Sequence, residues 1–379
     1  MILTRGARIT GAVLCAVLAA VVAGWIVRDL RAVGDVPVLL RYWAGYTDGW
    51  PKALPATLQA DPVLLVVYVL ALIAALRSSV AASTLVATGL VTLALRLPGV
   101  WTIGSSWMDG RFEDELRTRA LIGTFVALAA GLALVVTGAA GRRQPVDFYG
   151  SDEPLPTRPG RGAGVTAFLA LGTSGAVLIA WEIRQLFTLP DALYPAWFIG
   201  GKTLTLGLTA TPPGWSSLAL GTACLVVAWT ALFRAVHARP LGMIVAGFLL
   251  VSGGCGIARV VHNGWLEHFG GAPLEQQLSM GTSFLLAFAG AAALLVLARR
   301  GFERTGGQNE GYGGYGYPQG GAPGYGYPQG GAPGYGHPQS GAAPGYGYPQ
   351  TGSTPPYGYP QSGGRPGNPP PPASPPPGW

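Results

Sequence analysis

Eight stretches of this chain, each of about 15 to 21 residues, are almost free of charge: 9–27, 62–76, 79–95, 120–138, 163–181, 215–233, 241–260 and 278–298. A helix rising 1.5 Å per residue needs about 20 residues to cross ~30 Å of hydrocarbon. In that medium every backbone N–H and C=O must be bonded within the protein, so runs of this length fold as helices. Only 11% of the 379 residues are charged, and the mean hydropathy is +0.36 even with a hydrophilic C-terminal region included. The chain therefore reads as an all-α transmembrane protein. The second and third runs are separated only by Arg77-Ser78-Ser79; they are split because the corresponding part of the second half is broken at His237-Ala238-Arg239-Pro240.

The membrane part is written twice. Arg5-Gly6-Ala7-Arg8-Ile9-Thr10 recurs as Arg161-Gly162-Ala163-Gly164-Val165-Thr166, and the same offset of 156 carries Trp25 onto Trp181, Arg28 onto Arg184 and Leu30 onto Leu186. Arg77 maps onto Arg234 and Arg142-Arg143 onto Arg299-Arg300 at 157, Gly123-Thr124 onto Gly281-Thr282 at 158, and Arg96 more loosely onto Arg259 at 163. The expected fold is an eight-helix bundle of two parallel four-helix repeats, residues 1–140 and 163–304. A cytoplasmic linker, 141–162, joins them, and a disordered tail, 305–379, comes last. Four spans per half is an even number, so both halves run in the same sense about a pseudo-twofold axis along the membrane normal. The first run, with Arg5 and Arg8 ahead of it and Cys15 within it, has the outline of a signal segment. Its internal copy and the bulky Leu14 argue for an uncleaved spanning helix.

Charge predicts orientation. Arg77, Arg142, Arg143, Arg234, Arg239, Arg299 and Arg300 all fall near helix ends on one side, which places that side and both termini in the cytoplasm of a plasma-membrane protein. Small residues repeat every four positions at Gly123, Ala127 and Gly131 and at Ser283, Ala287 and Ala291, the spacing of close helix contacts. Ser252-Gly253-Gly254-Cys255-Gly256 must pack very closely or deform. Cys15, Cys224 and Cys255 lie in apolar runs without Cys-x-x-Cys spacing and read as packing residues. No cofactor, metal or nucleic-acid partner is expected; membrane lipids are.

From Thr305 the composition changes. Tyr-Pro-Gln recurs at Tyr317, Tyr327, Tyr348 and Tyr359, with His337-Pro-Gln in a fifth place, and only Glu310 and Arg365 carry charge. Such a segment cannot bury enough apolar surface to offset its conformational entropy, and its prolines favour polyproline II. Alanine-, glycine- and valine-rich helices joined to this tail resemble integral membrane proteins of high-GC Gram-positive (actinobacterial) bacteria. That resemblance implies no catalytic family; cytoplasmic protein partners are expected through the tail.

The candidate functional residues are Arg28, Arg96, Arg184 and Arg259, all at outer ends of odd-numbered spans. Four guanidinium groups facing the seam between halves would form an anion cup suited to phosphate or carboxylate. The commoner role of arginine there is to snorkel beside Trp25, Trp101, Trp181 and Trp265, and Glu182 is placed to neutralise Arg184. His262, Glu267 and His268 near Arg259 have the atoms for zinc or acid–base chemistry, but not the usual ligand spacing. Asp109, Glu113, Asp114 and Glu115 with Arg111, Arg117 and Arg119 read as a surface charge mixture. No Asp, Glu, Lys, Arg or His lies near the middle of any span, which weighs against an ion-coupled carrier. Three classes stand: a non-enzymatic membrane protein with a recruiting or clustering tail, a transporter or lipid-handling protein using the outer seam, and an enzyme with an outer-face site.

Overall fold

The computed structural model describes residues 2–46, 53–143, 158–204 and 207–299. The expected tail and residues 144–157 of the expected linker lie outside the described residues. The chain divides into two units, Met1–Glu310 and Gly311–Trp379, and the first contains all of the described helices.

Among the described residues eight helical segments are long and apolar enough to cross a membrane: α1 (Arg5–Val33), α3 (Ala60–Arg77), α4 (Ala81–Arg96) with its continuation to Thr102, α6 (Asp114–Ala140), α7 (Arg161–Thr188), α9 (Pro213–Leu232), α10 (Ala238–His262) and α11 (Leu274–Ala298). Three short helices, α2 (Val36–Ala44), α5 (Gly99–Thr102) and α8 (Leu193–Ile199), sit in connections. All eight expected spans are present, several longer than the apolar run because charged residues extend the ends. The split after Arg77 is real: Ser78 is extended, and its Oγ accepts the Val80 N–H at 3.2 Å. The break between α9 and α10 lies earlier than Arg239-Pro240, at Arg234, whose φ is 55°. Pro240 instead occupies the first turn of α10, where a missing N–H costs nothing.

Within the first half α1 packs on α3 and α6, α3 on α4, and α4 on α6. Within the second, α7 packs on α9 and α11, α9 on α10, and α10 on α11. The order of neighbours is the same in both. Between halves α4 meets α9 and α10, and α3 meets α10, so Ile244 and Phe248 of α10 join the core of Leu18, Leu64, Tyr68, Leu85 and Leu134. Trp25 Nε1 lies 3.4 Å from where a Cβ on Gly123 would sit, and Trp181 Nε1 donates to Thr282 Oγ1 at 2.9 Å.

Connections gather unequally. One end carries the connections that contain α2, α5 and α8; the other carries the short turns after α3 and α9, the 141–160 connection between α6 and α7, and the pairing of β1 (Ile2–Leu3) with β2 (Arg142–Arg143). At this short-loop end, Arg239 Nε and Nη2 donate to the Leu297 and Ala298 carbonyls at 2.7 and 3.1 Å, and Arg142 Nε donates to Gly138 O at 2.8 Å. These side chains satisfy the carbonyls that helix ends leave open.

The long pairs are held by backbone approach at small residues. A Cβ on Gly89 would come within 2.5 Å of Gly131 O, and one on Gly253 within 2.7 Å of Ser283 O. Of the Ser252–Gly256 run, Gly253 and Gly256 pack on Ser283 and Ala287, whereas Gly254 faces open space; close packing, not deformation, is the outcome. Gly253→Ala is therefore expected to lower stability in detergent by about 1–3 kcal/mol through overpacking, with Gly254→Ala near neutral. Thermal unfolding of the two variants checks this, and equal midpoints would refute the contact.

Candidate functional site

At the loop-rich end, α1 continues past its apolar run and carries Asp29 inward to complete burial. Its carboxylate accepts hydrogen bonds from Ala56 N (3.0 Å), Thr57 N (2.7 Å), Thr57 Oγ1 (2.6 Å) and Arg28 Nη1 (2.8 Å). Trp43 on α2 donates in turn to Thr57 Oγ1 at 3.2 Å. A buried charge persists only when its lone pairs are filled, and here they are. Burial, followed by the Asp29 charge, raises the pKa of the nearby Tyr42 phenol above its ordinary value.

A second carboxylate, Asp61 in the first turn of α3, pairs with Arg96 at the end of α4 at 2.5 Å; their side chains are 5% and 11% exposed. Asp61 also accepts from Leu58 N at 2.8 Å. Arg96 Nη1 donates to Thr209 O at 3.4 Å, and Thr209 donates through N and Oγ1 to Ala56 O at 3.0 and 2.9 Å. The Asp29 and Asp61 systems thus meet at Ala56 and Thr209, which belong to different halves. The same seam carries Thr211 Oγ1 to Leu95 O (2.8 Å), Trp215 Nε1 to Ala94 O (2.7 Å) and Trp101 Nε1 to Ile199 O (3.1 Å). Beside it lies a cavity of about 10 Å³, lined by Trp25, Tyr68, Arg96, Thr124 and Thr209 among others, room for about one water molecule. Tyr68 is fully buried, with its hydroxyl 3.0 Å from Thr92 Oγ1 of α4.

Three of the four arginines singled out from sequence face carboxylates: Arg28 with Asp29, Arg96 with Asp61, and Arg184 bidentate with Glu275 on α11 at 2.9 Å twice. Glu182 does not neutralise Arg184. Two residues apart on a helix they face different ways, and Glu182 turns inward to accept from Trp197 Nε1 of α8 at 3.0 Å and from Ser217. Arg259 is exposed and lies against the α2 C-cap, its Nη1 3.3 Å from where a Cβ on Gly45 would sit. Next to it Tyr46 stacks on His262, with ring centroids 4.1 Å apart, while His268 Nδ1 lies 3.5 Å from Gly264 O. Among the described residues no three His, Cys, Asp or Glu side chains are grouped to hold a metal ion. In the charge mixture at the start of α6, Arg117 pairs with Asp109 and Asp114, and Arg119 with Glu115. Arg111 crosses the seam to the Leu204 and Lys202 carbonyls, both at 2.9 Å.

Comparison with protein-family models, curated proteins and solved structures returned no match. The residues that sequence reasoning passed over are Asp29, Asp61, Thr57 and Thr209. A signal existed for the two acids, each flanking an apolar run that ends in arginine, but Thr57 and Thr209 sit in connections and acquire their role only through folding.

Removing one partner of a buried pair leaves an uncompensated charge, a loss of about 3–5 kcal/mol, whereas replacing both with apolar residues is often neutral. Asp61→Leu and Arg96→Met are each expected to lower the unfolding midpoint strongly, and the double variant to recover most of it. Additive losses in chemical denaturation would show that the pair is not the contact that matters.

Proposed function

We propose that the chain is a multi-pass plasma-membrane protein without chemistry of its own. Two parallel four-helix repeats make an anchoring platform, both termini are cytoplasmic, and the tail 305–379 recruits or clusters protein partners. The observation that carries this reading is the seam at the loop-rich end. Direct bonds through Ala56 and Thr209 cross it, and the cavity beside Arg96 has room for about one water. A bundle stitched shut this way suits an anchor better than a conduit. The tail supplies the other half of the reading, with ten tyrosines at regular spacing among glycine and proline and almost no charge. The repeated order of helix neighbours supports the duplication. Truncation after Arg304 is expected to leave membrane insertion and thermal stability unchanged while abolishing partner recovery or clustering. A cysteine at Ser340 in the full chain should resist an impermeant thiol reagent in intact cells; labelling there would reverse the orientation.

A second reading, an anion-binding or lipid-handling role at the loop-rich seam, is favoured by Arg259, which is exposed and pairs with no carboxylate among the described residues. An anion held by the planar guanidinium fork would be lost on exchange for lysine. Anionic-lipid binding that falls in Arg259→Lys but not in Arg28→Lys would favour this role; equal binding by both variants and wild type would leave Arg259 as a snorkelling residue.

A further inference from the structure

The lateral face shared by α7 and α9 has an open groove of about 400 Å³, walled by Phe168, Leu225 and Trp229 and floored by Gly172, Ala176 and Ala228. Thr173, the polar residue of its lining, turns its hydroxyl back to the Leu169 and Ala170 carbonyls at 2.6 and 3.2 Å. The groove is therefore wholly apolar in effect. Trp229 is 61% exposed and makes an edge contact with Phe233, at 65% exposed, with centroids 5.2 Å apart; this extends the wall toward the short-loop end.

Two arginines stand at that end, one on each wall. Arg161 opens α7 on the face that continues through Val165, Phe168, Gly172 and Ala176, because steps of three and four residues keep one side of a helix. Seven residues separate Arg161 from Phe168, about 10 Å along the axis. Arg234 comes directly after α9; its Cγ lies 3.9 Å from where a Cβ on Gly164 would sit, and its Nε donates to Pro159 O at 3.0 Å. Among the described residues neither arginine pairs with a carboxylate. A twofold contact with a second copy through this face would bring four such cations to one depth, which disfavours a copy as occupant.

We propose that this face binds a phospholipid with an anionic headgroup, one acyl chain in the groove between α7 and α9 and the headgroup at Arg161 and Arg234. The proposal rests on the helices lying in a membrane. Basic pockets beside spanning helices attract anionic headgroups, and the groove supplies the apolar half of the same ligand. The test is native mass spectrometry of the full chain in mild detergent with phosphatidylglycerol, with phosphatidylcholine of the same acyl chains, or with inorganic phosphate. Phosphatidylglycerol should be retained about thirtyfold over phosphatidylcholine, from two arginines near the headgroup, and inorganic phosphate should not displace it. Ala176→Phe and Thr173→Phe, at exposed groove positions, should abolish retention with helicity unchanged; Arg161→Gln and Arg234→Gln should reduce phosphatidylglycerol to the phosphatidylcholine level. Equal retention of the two lipids, displacement by phosphate, retention by the filled-groove variants, or a dimer that those variants dissociate would each overturn the proposal. Failure of the chain to fractionate with membranes would instead remove the premise beneath it.

Discussion

Lipid tails are as apolar as leucine, so helices in a bilayer gain nothing by hiding apolar surface from each other. What remains is van der Waals contact at close range and hydrogen bonding at sites that lipid cannot serve. Both are evident here, and they are separated in space. Along the spans, Gly89 with Gly131 and Gly253 with Ser283 and Ala287 bring backbones together to distances at which a methyl group would collide. At the ends, arginines, threonines and tryptophans bond carbonyls that the helices leave open. Leucine, valine and phenylalanine point outward in large numbers without penalty, as Phe125, Phe187 and Phe288 do.

The loop-rich end concentrates the charge. Asp29 and Asp61 are nearly removed from solvent, yet each is surrounded by donors, and the two systems share the Ala56–Thr209 link between halves. The second half handles its buried carboxylate differently: Glu182 takes a tryptophan N–H and a serine, while its neighbour Arg184 pairs at the surface with Glu275. In both halves a short helix after the first span carries a tryptophan toward the buried acid, Trp43 by way of Thr57 and Trp197 directly. The halves are alike in arrangement and unlike in charge. The hydrogen bonds from Arg96 to Thr209 and from Thr209 to Ala56 tie the halves directly, which leaves little freedom for the rocking of one half against the other that alternating access requires.

This contrast gives the two faces different roles. The loop-rich end is occupied with its own stitching, and its arginines are largely committed to carboxylates. At the short-loop end Arg142 and Arg234 donate to carbonyls, and an apolar groove rises from it on the α7–α9 side. Interaction with lipid on that side and with proteins through the tail would leave the bundle itself unchanged.

The sequence by itself determined the number of spans, because backbone polarity in hydrocarbon leaves the chain no alternative to helices and the length of each apolar run is legible residue by residue. It also marked the turn after Arg77, from Ser78 and Ser79 between two apolar runs, and the small-residue rows at Gly131 and Ser283. Only the tertiary structure decided which charges meet. Arg96 finds Asp61 across two helices, Arg184 finds Glu275 rather than Glu182, and Thr209 reaches Ala56 from the other half. Such pairings depend on the rotation of each helix and on the course of its connections. Residues uniform in hydrophobicity around a span carry no preferred face for sequence to reveal, so partner choice passes to packing.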